Sequence, residues 1–401
     1  MTPPDAAIAD AALVERVRWR LAHAGEQPTP DRVAAAVRGE VGVRSDEEVL
    51  AVVTALGREL TGAGPLASLL AQDGVTDVLV NGPDSVWVDR GHGLERAAIR
   101  FPDEAAVGRL ARRLAAMGAR RLDAAAPYVD ARLPGGVRLH AVLPPIAPGG
   151  TCLSLRVSPR HAFTVDELVA AGTIVPAAER LLRALVSARL AFLVTGGTGA
   201  GKTTLLSTLL GLVQPAERIV LVEDSGELQP THPHVVRLEA RPPNVEGAGA
   251  VTLRDLVRQA LRMRPDRLVV GEVRGGEVAD LLAALNTGHE GGCGTLHANR
   301  PEDVPARLEA LAAIAGTSRA ALHSQLAAAL DAVVHITRLA GGRRQVVSVG
   351  VFDRAANGLV HVSPALDVRA DGGVASGPGA SRLAARLAAV DPAFEHCMDI
   401  R

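Results

Sequence analysis

The sequence predicts an α/β protein whose main domain carries a largely parallel sheet covered on both faces. Three observations predict it. Over residues 159–365, apolar runs alternate with amphipathic stretches of helical period. Those apolar runs are short and nearly continuous, as parallel strands buried on both faces must be. Upstream, residues 61–158 have a different texture, in which short strand-like runs and turns flank one amphipathic helix, as in a smaller α+β domain.

In chain order, residues 1–60 come first. "DAALVERVRWRLA", "DRVAAAVRGEV" and "SDEEVLAVVTALGREL" carry helical periodicity, with Ser45 and Glu48 placed as a capping box, so a helical appendage is expected. After the "TGAGP" break, "VTDVLVNGPDSVWVDRGHGLERA" reads as strand, turn and strand, with Asn81-Gly82-Pro83 and Gly91-His92-Gly93 as turn signals. "DEAAVGRLARRLAAMG" is a helix, followed by short strands in "YVDARLPGGVRLHAVLPP" and "TCLSLRVSP". "PRHAF" reads as the linker out of this domain.

The main domain then alternates. "AERLLRALVSAR", "TTLLSTLLGLV", "LRDLVRQALRM" and "GEVADLLAALNTG" are helices, interleaved with the strands "LAFLVTG", "RIVLVED", "RLVVGEV" and "CGTLHA". "PEDVPARLEALAAI" and "RAALHSQLAAAL" add two helices. "AVVHITRL" and "RRQVVSVGVFDR" read as a closing antiparallel pair. Residues 366–401, with the Gly/Ser-rich "DGGVASGPGAS", are expected to be a mobile tail.

Bulk numbers exclude several function classes. A chain of 401 residues suggests two to three domains, and its 48% hydrophobic content is ample for buried cores. With 43 basic against 44 acidic residues there is no global attraction to nucleic acid or anionic lipid. Aromatic residues at 2% leave little for base stacking, so no sequence-specific nucleic-acid binding is expected. Cys152, Cys293 and Cys397 form no C-x-x-C pair, which suits a reducing compartment. The opening "MTPPDAAIAD" lacks a signal pattern, and no uncharged apolar run reaches the roughly 18 residues of a spanning helix. The expectation is a cytoplasmic protein that meets a membrane only through partners.

Lysine usage is informative. Only one of the 43 basic residues is a lysine, Lys202, and it stands in "GGTGAGKTT". Gly196, Gly197, Thr198, Gly199, Ala200, Gly201, Lys202 and Thr203 fit G-x-x-x-x-G-K-[ST] between an apolar strand and a helix, with Thr204 next in line. Such a loop turns backbone N–H groups toward phosphate oxygens at the positive end of a helix. Lys202 would meet the β- and γ-phosphates and Thr203 would offer a hydroxyl to Mg²⁺, so ATP and Mg²⁺ are the expected ligands. A ligand-free glycine turn is the competing reading.

Hydrolysis needs acids near the terminal phosphate. "RLVVGEVRG" supplies Glu272, where most phosphate-loop ATPases have an aspartate and this chain has Gly271 before the glutamate. Glu272 is the candidate to support the metal or polarise the attacking water. "VLVEDSGEL" supplies Glu223, Asp224 and Glu227 at another strand end, and C-terminal strand ends converge at the ligand crevice of a parallel sheet. Each could instead be an ordinary loop carboxylate.

"TGHEGGCGTLHANR" spaces His289, Cys293 and His297 at four-residue steps, which invites a metal-site reading. Gly291, Gly292 and Gly294 break any helix that would align the three, and "HEGGC" is not an H-E-x-x-H zinc helix. A metal site is therefore not expected.

Taken together, the phosphate loop, "RLEARPPNVEG", "LRMRPDRLVVGEVRG" and "LNTGHEGGCGTLHAN" resemble, in order and spacing, the type II/type IV secretion ATPases. Within them the sequence is most similar to the tight-adherence (Flp) pilus ATPases of the CpaF/TadA kind. "VTDVLVNGPDSVWVDR" and "YVDARLPGGVRLHAVLPP" extend the resemblance over residues 61–350. It implies a RecA-like phosphate-loop ATPase domain preceded by a small PAS-like, sensor-like α+β domain. It also implies a homo-hexamer acting on inner-membrane platform proteins from the cytoplasmic face, to assemble a pilus or export apparatus.

Residue by residue, the resemblance puts an acidic "Asp box" on Glu223, Asp224 and Glu227, and the Walker B glutamate on Glu272. The family's His box falls on the stretch holding His289 and His297, near the γ-phosphate or a subunit boundary. Cys293 stands where methionine is usual and Gly292 where serine is common. Nucleotide-reaching arginines of the first domain map to Arg138 and Arg156, with Arg132 a further candidate and Arg241 and Arg274 weaker ones. Two other departures, Ala200 for serine and Ser225-Gly226 for small apolar residues, leave the donors and acids in place. Two other classes compete: a conjugal or DNA-translocating motor on the same core, and a hydrolysis-dead nucleotide sensor.

Overall fold

The computed structural model describes residues 30–41, 62–157, 162–243, 247–339, 341–369 and 372–392, together with Arg16 and Arg20. It divides into two compact units, Met1–Pro159 and Arg160–Arg401. Of the expected helical appendage, α1 (Pro30–Val41) is described. The rest of residues 1–60, apart from Arg16 and Arg20, lies outside the described residues, as does most of the "PRHAF" stretch.

The first unit is built on six antiparallel strands in the order β3-β2-β1-β6-β5-β4. These are β1 (Asp77–Asn81), β2 (Val86–Asp89), β3 (Leu94–Arg96), β4 (Tyr128–Arg132), β5 (Arg138–Val142) and β6 (Cys152–Arg156). Strict alternation makes one face apolar: Val78, Val80, Leu139, Ala141, Leu153 and Leu155 are buried. A short helix α2 (Ala67–Leu70) precedes the sheet. The longer α3 (Glu104–Met117) starts on Asp103, whose carboxylate accepts from the Ala106 amide at 2.7 Å. Its buried stripe of Val107, Leu110, Ala111 and Leu114 joins the same apolar core as the strands.

In the second unit, nine strands run in the order β15-β14-β13-β12-β7-β11-β10-β8-β9. Six are mutually parallel: β7 (Phe192–Gly196), β8 (Ile219–Glu223), β9 (Val235–Glu239), β10 (Arg267–Val270), β11 (Cys293–His297) and β12 (Ala332–Arg338). The others, β13 (Arg344–Arg354), β14 (Val360–Val368) and β15 (Val374–Ser376), form an antiparallel wing.

Helices cover both faces. Phe192 and Val194 point into a core shared with α5 (Pro176–Ser187) and α6 (Lys202–Leu210), beyond the capped short helix α4 (Val165–Ala170). Leu193 points into the opposite core, with α7 (Leu253–Ala260), α8 (Glu277–Leu285), α9 (Val304–Ile314) and α10 (Arg319–Ala329). The alternation along β7 is what a strand covered on both sides requires.

Two sequence expectations change. The strand β12 pairs antiparallel with β13 as read, but it also extends the parallel sheet through β7, so it belongs to both halves. Where it is described, at 366–369 and 372–392, the tail expected to be mobile carries regular structure. Strand β14 runs across its start, and α11 (Ala380–Val390) buries Leu383 and Leu387 fully. Arg386 fastens that helix, donating from Nη1 to Asp331 Oδ1 at 2.9 Å, while Asp331 Oδ2 accepts from the Ala191 amide at 2.9 Å. Residues 393–401 lie outside the described residues.

Candidate nucleotide-binding site

Strand β7 delivers the phosphate loop to the C-terminal edge of the parallel sheet, and α6 carries the chain away. Gly201 is the N-cap of α6 at φ 97°, in the left-handed region. A Cβ at Gly196 would run into the carbonyl oxygen of Ile336 on β12. Ala200 is buried in the apolar core beneath the loop, which accounts for a methyl there instead of a hydroxyl. Thr203 and Thr204 are half-buried on the first turn of α6, and Gly197, Thr198 and Gly199 are exposed on the loop.

Lys202 is only 7% exposed. Its ammonium donates to the carbonyls of Gly196 at 3.1 Å and Gly197 at 2.9 Å. Burial lowers its pKa from the ordinary lysine value, and the Glu272 and Glu227 carboxylates oppose that shift.

The neighbouring strand ends bring the expected partners to it. Lys202 Nζ stands 3.3 Å from Nδ1 and 3.4 Å from Nε2 of His297, the last residue of β11. His297 Nε2 in turn meets Glu272 Oε1, two residues past β10, at 2.8 Å. Burial and the nearby Lys202 charge lower the histidine pKa, against the pull of Glu272. The direction of that shift favours the neutral imidazole beside the Lys202 ammonium.

Glu223, the last residue of β8, is 3% exposed. Its Oε1 accepts the amides of Glu227 and Leu228, both at 2.9 Å, whereas Oε2 is buried without a hydrogen-bond partner. Burial pushes its pKa up to about 7, against those two amides. A Cβ on Gly271 would lie 2.7 Å from Glu223 Cγ. The glycine that stands in the expected aspartate position therefore makes room for a carboxylate from the adjacent strand. The side chains of Thr203, Glu272 and Glu223 offer oxygen donors only, chemistry that suits a hard cation such as Mg²⁺.

The sign of the Glu223 shift gives a stability prediction. Its folded pKa lies above the unfolded 4.5, so the folded chain binds the extra proton between pH 4.5 and about 7. Stability is therefore expected to fall across that window and to stay lower above it, by roughly 3 kcal/mol in total. Glu223→Gln keeps an acceptor for both amides and removes the ionisation. Urea unfolding from pH 4 to 8 should show the variant gaining on the wild type as pH rises; parallel curves would refute the assignment.

The remaining expected residues are distributed. Asp224 pairs with Arg274 (Oδ2 to Nη2, 2.6 Å), and Arg241 donates to the Gly249 carbonyl at 2.8 Å within its own loop. His289 does not meet the phosphate loop within this chain. It precedes β11, with Nδ1 3.3 Å from the Ala284 carbonyl at the end of α8, so it sits at the N-terminal edge of the sheet. A strand advances about 3.3 Å per residue, and the length of β11 thus separates His289 from His297 and the phosphate loop.

Among the described residues no cluster of His, Cys, Asp or Glu could hold a metal ion through protein ligands alone. Cys293 is buried, and burial pushes its thiol up to about 12. The glycines beside it serve packing. A Cβ on Gly291 would strike the Arg267 guanidinium, and one on Gly294 would lie 2.7 Å from the Val270 carbonyl oxygen.

In the first unit, Arg132, Arg138 and Arg156 stand directly opposite one another on β4, β5 and β6. Arg156 also faces Asp77 of β1 and binds it at 3.1 Å. Directly opposed like charges are unfavourable on a sheet, and Asp77 offsets the charge at Arg156. The register thus gathers all three candidate arginines at one sheet end. Sequence reading missed Arg344, which donates to the loop carbonyl of Gly199 at 3.3 Å. No motif marks it, because β13 reaches the loop only by way of β12.

Residues 59–365 match the family described as Type II/IV secretion system protein. A protein of Mycobacterium tuberculosis (strain H37Rv), provisionally described as a conjugal transfer protein, is 63% identical over 316 residues, covering 77% of this chain and 90% of its own. The type IV secretion system protein PtlH of Bordetella pertussis is 32% identical over 314 residues, 71% of this chain and 92% of its own. Among solved structures, the ATPase DotB of Legionella pneumophila aligns with a TM-score of 0.51 at 19% identity, over 72% of this chain and 80% of that one, a likeness of fold.

Proposed function

The chain belongs to the type II/IV secretion system protein family, and from that premise we propose that it is a Mg²⁺-dependent ATPase whose hydrolysis drives a secretion or pilus machine. The observation that carries the reading is the meeting of Lys202, His297 and Glu272 at the phosphate loop, with an unpaired buried Glu223 oxygen on β8, the strand beside β10. Lys202 would leave its loop carbonyls for the β- and γ-phosphates. Glu272 would orient the attacking water, and His297, bonded to it, would hold that carboxylate in place and register the terminal phosphate. Thr203, Glu223 and Glu272 are the residues that would hold Mg²⁺, which screens phosphate charge when bound.

In the finer reading, the machine is a tight-adherence pilus or a related apparatus, and the working form is a hexamer. By resemblance, Arg138 and Arg156, with Arg132 a further candidate, would be the arginines that meet nucleotide phosphates as planar forked donors. Among the described residues no helix is long and apolar enough to cross a membrane. Inner-membrane platform proteins would therefore be the link from the cytoplasmic face. A conjugal-transfer motor is the second reading, favoured by the description of the Mycobacterium tuberculosis relative. Net charge of −1 and 2% aromatic residues weigh against direct DNA gripping in that role.

The test is ATPase rate per subunit against protein concentration, with Lys202→Met as the blank and duplex DNA as an added arm. A rate that climbs with assembly, vanishes in the variant and ignores DNA is expected. DNA stimulation of several-fold would favour the conjugal reading, and a Lys202-independent rate would refute both.

A further inference from the structure

Two consecutive arginines at the start of β13 lie against glycine turns on the flank of the phosphate loop away from the acids. Arg344 is anchored by Nε on the Gly199 carbonyl at 3.3 Å, and its Cδ stands 3.0 Å from where a Cβ on Gly201 would be. Arg343 lies against Gly172, with Nη1 3.5 Å from that glycine's Cβ position. The Val346 amide bonds to the Thr173 carbonyl at 2.8 Å and ties this end of β13 to the same turn. Arg338 of β12 is the direct cross-strand neighbour of Arg344.

Strand order tells which part of a nucleotide this flank faces. Lys202, His297 and Glu272 meet where β11 and β10 end, on one side of β7. Arg344 arrives from the other side, beyond β12. A nucleoside triphosphate laid across the loop with its terminal phosphate at the first group would bring its α-phosphate and nucleoside to the second side. We propose that Arg344 is a nucleotide-binding residue that holds the portion common to ATP and ADP. The inference rests on the ATPase reading above. One donor of the planar fork is spent on the loop itself, so the guanidinium travels with the loop and presents its Nη edge to the ligand.

The experiment measures ADP and ATPγS affinity, together with ATP KM and kcat, for wild type, Arg344→Ala, Arg344→Gln and Arg354→Ala. Glutamine keeps the stem and a donor for Gly199 but not the charge. Arg354 is the control: it lies at the far end of β13 and makes the same kind of bond, Nε to the Gly358 carbonyl at 3.2 Å. Both Arg344 variants should weaken ADP and ATPγS alike, and raise KM, by about tenfold, with kcat nearly unchanged and Arg354→Ala silent. Wild-type ADP affinity in Arg344→Gln would show that the side chain only braces the loop, and would overturn the proposal. Loss confined to ATPγS would move the contact to the γ-phosphate and overturn it too. Failure of the wild type to bind either nucleotide would remove the ATPase reading and this inference together.

Discussion

Replacing Lys202 with methionine is expected to lower kcat/KM for ATP at least about 100-fold, the loss seen when a single preorganised donor to developing charge is removed. The fold should not weaken. The ammonium is 7% exposed and held by two loop carbonyls, and burial has lowered its pKa. Because the folded pKa lies below the unfolded 10.5, the unfolded chain binds more protons between those two values. Wild-type stability should therefore rise on that alkaline stretch, whereas the methionine variant lacks the rise. Steady-state hydrolysis and urea unfolding measure the two parts. Near-wild-type turnover in the variant would remove Lys202 from the mechanism, and a large drop in stability would mean that the loop needs the ammonium for its shape.

Glu217→Ala carries the largest expected effect on folding. Arg267 is 2% exposed, and its Nε and Nη2 meet the Glu217 carboxylate at 2.7 and 3.2 Å. Arg189 approaches the same carboxylate at 3.5 Å. Without Glu217 a buried guanidinium keeps only backbone carbonyls, those of Val186 at 3.0 Å and Gly291 at 3.5 Å. Breaking a buried pair in this way costs about 3–5 kcal/mol, and replacing both partners by apolar residues costs far less. Chemical denaturation of Glu217→Ala beside the Glu217→Leu/Arg267→Met double variant checks this. A loss under about 1 kcal/mol in the single variant would show that water reaches the pair.

The site was legible where its chemistry is local in sequence. The phosphate loop declares itself because glycines, lysine and threonine must follow one another between a strand and a helix. Glu272 and His297 were legible because each closes an apolar run, and parallel strands end at the same edge. Relations between strands were not legible. Gly271 looked like a missing aspartate, and only the pairing of β8 with β10 shows a Glu223 side chain in that space. The resemblance treats His289 and His297 as one box, and only the extension of β11 shows that its length separates them.

Strand β9 went unread because most of its residues are half-exposed, so it lacks the continuous apolar run of its neighbours. The misread tail has a physical cause as well. Gly377 and Gly379 suggested looseness, yet a Cβ on either would crowd carbonyl oxygens of Ser363 or Pro364. Those glycines mark close approach of two backbones.

The fastening of α11 also bears on how the chain is made. Phe192 and Val194 of β7 share a core with Leu383 and Leu387, which follow them by nearly two hundred residues. On a ribosome α5 and α6 cover part of that face early, but the share that Leu383 and Leu387 close stays open until α11 has emerged. High contact order of this kind slows folding and leaves nascent strands open to chaperones. Helix α11 acts as the latch that ends this exposure.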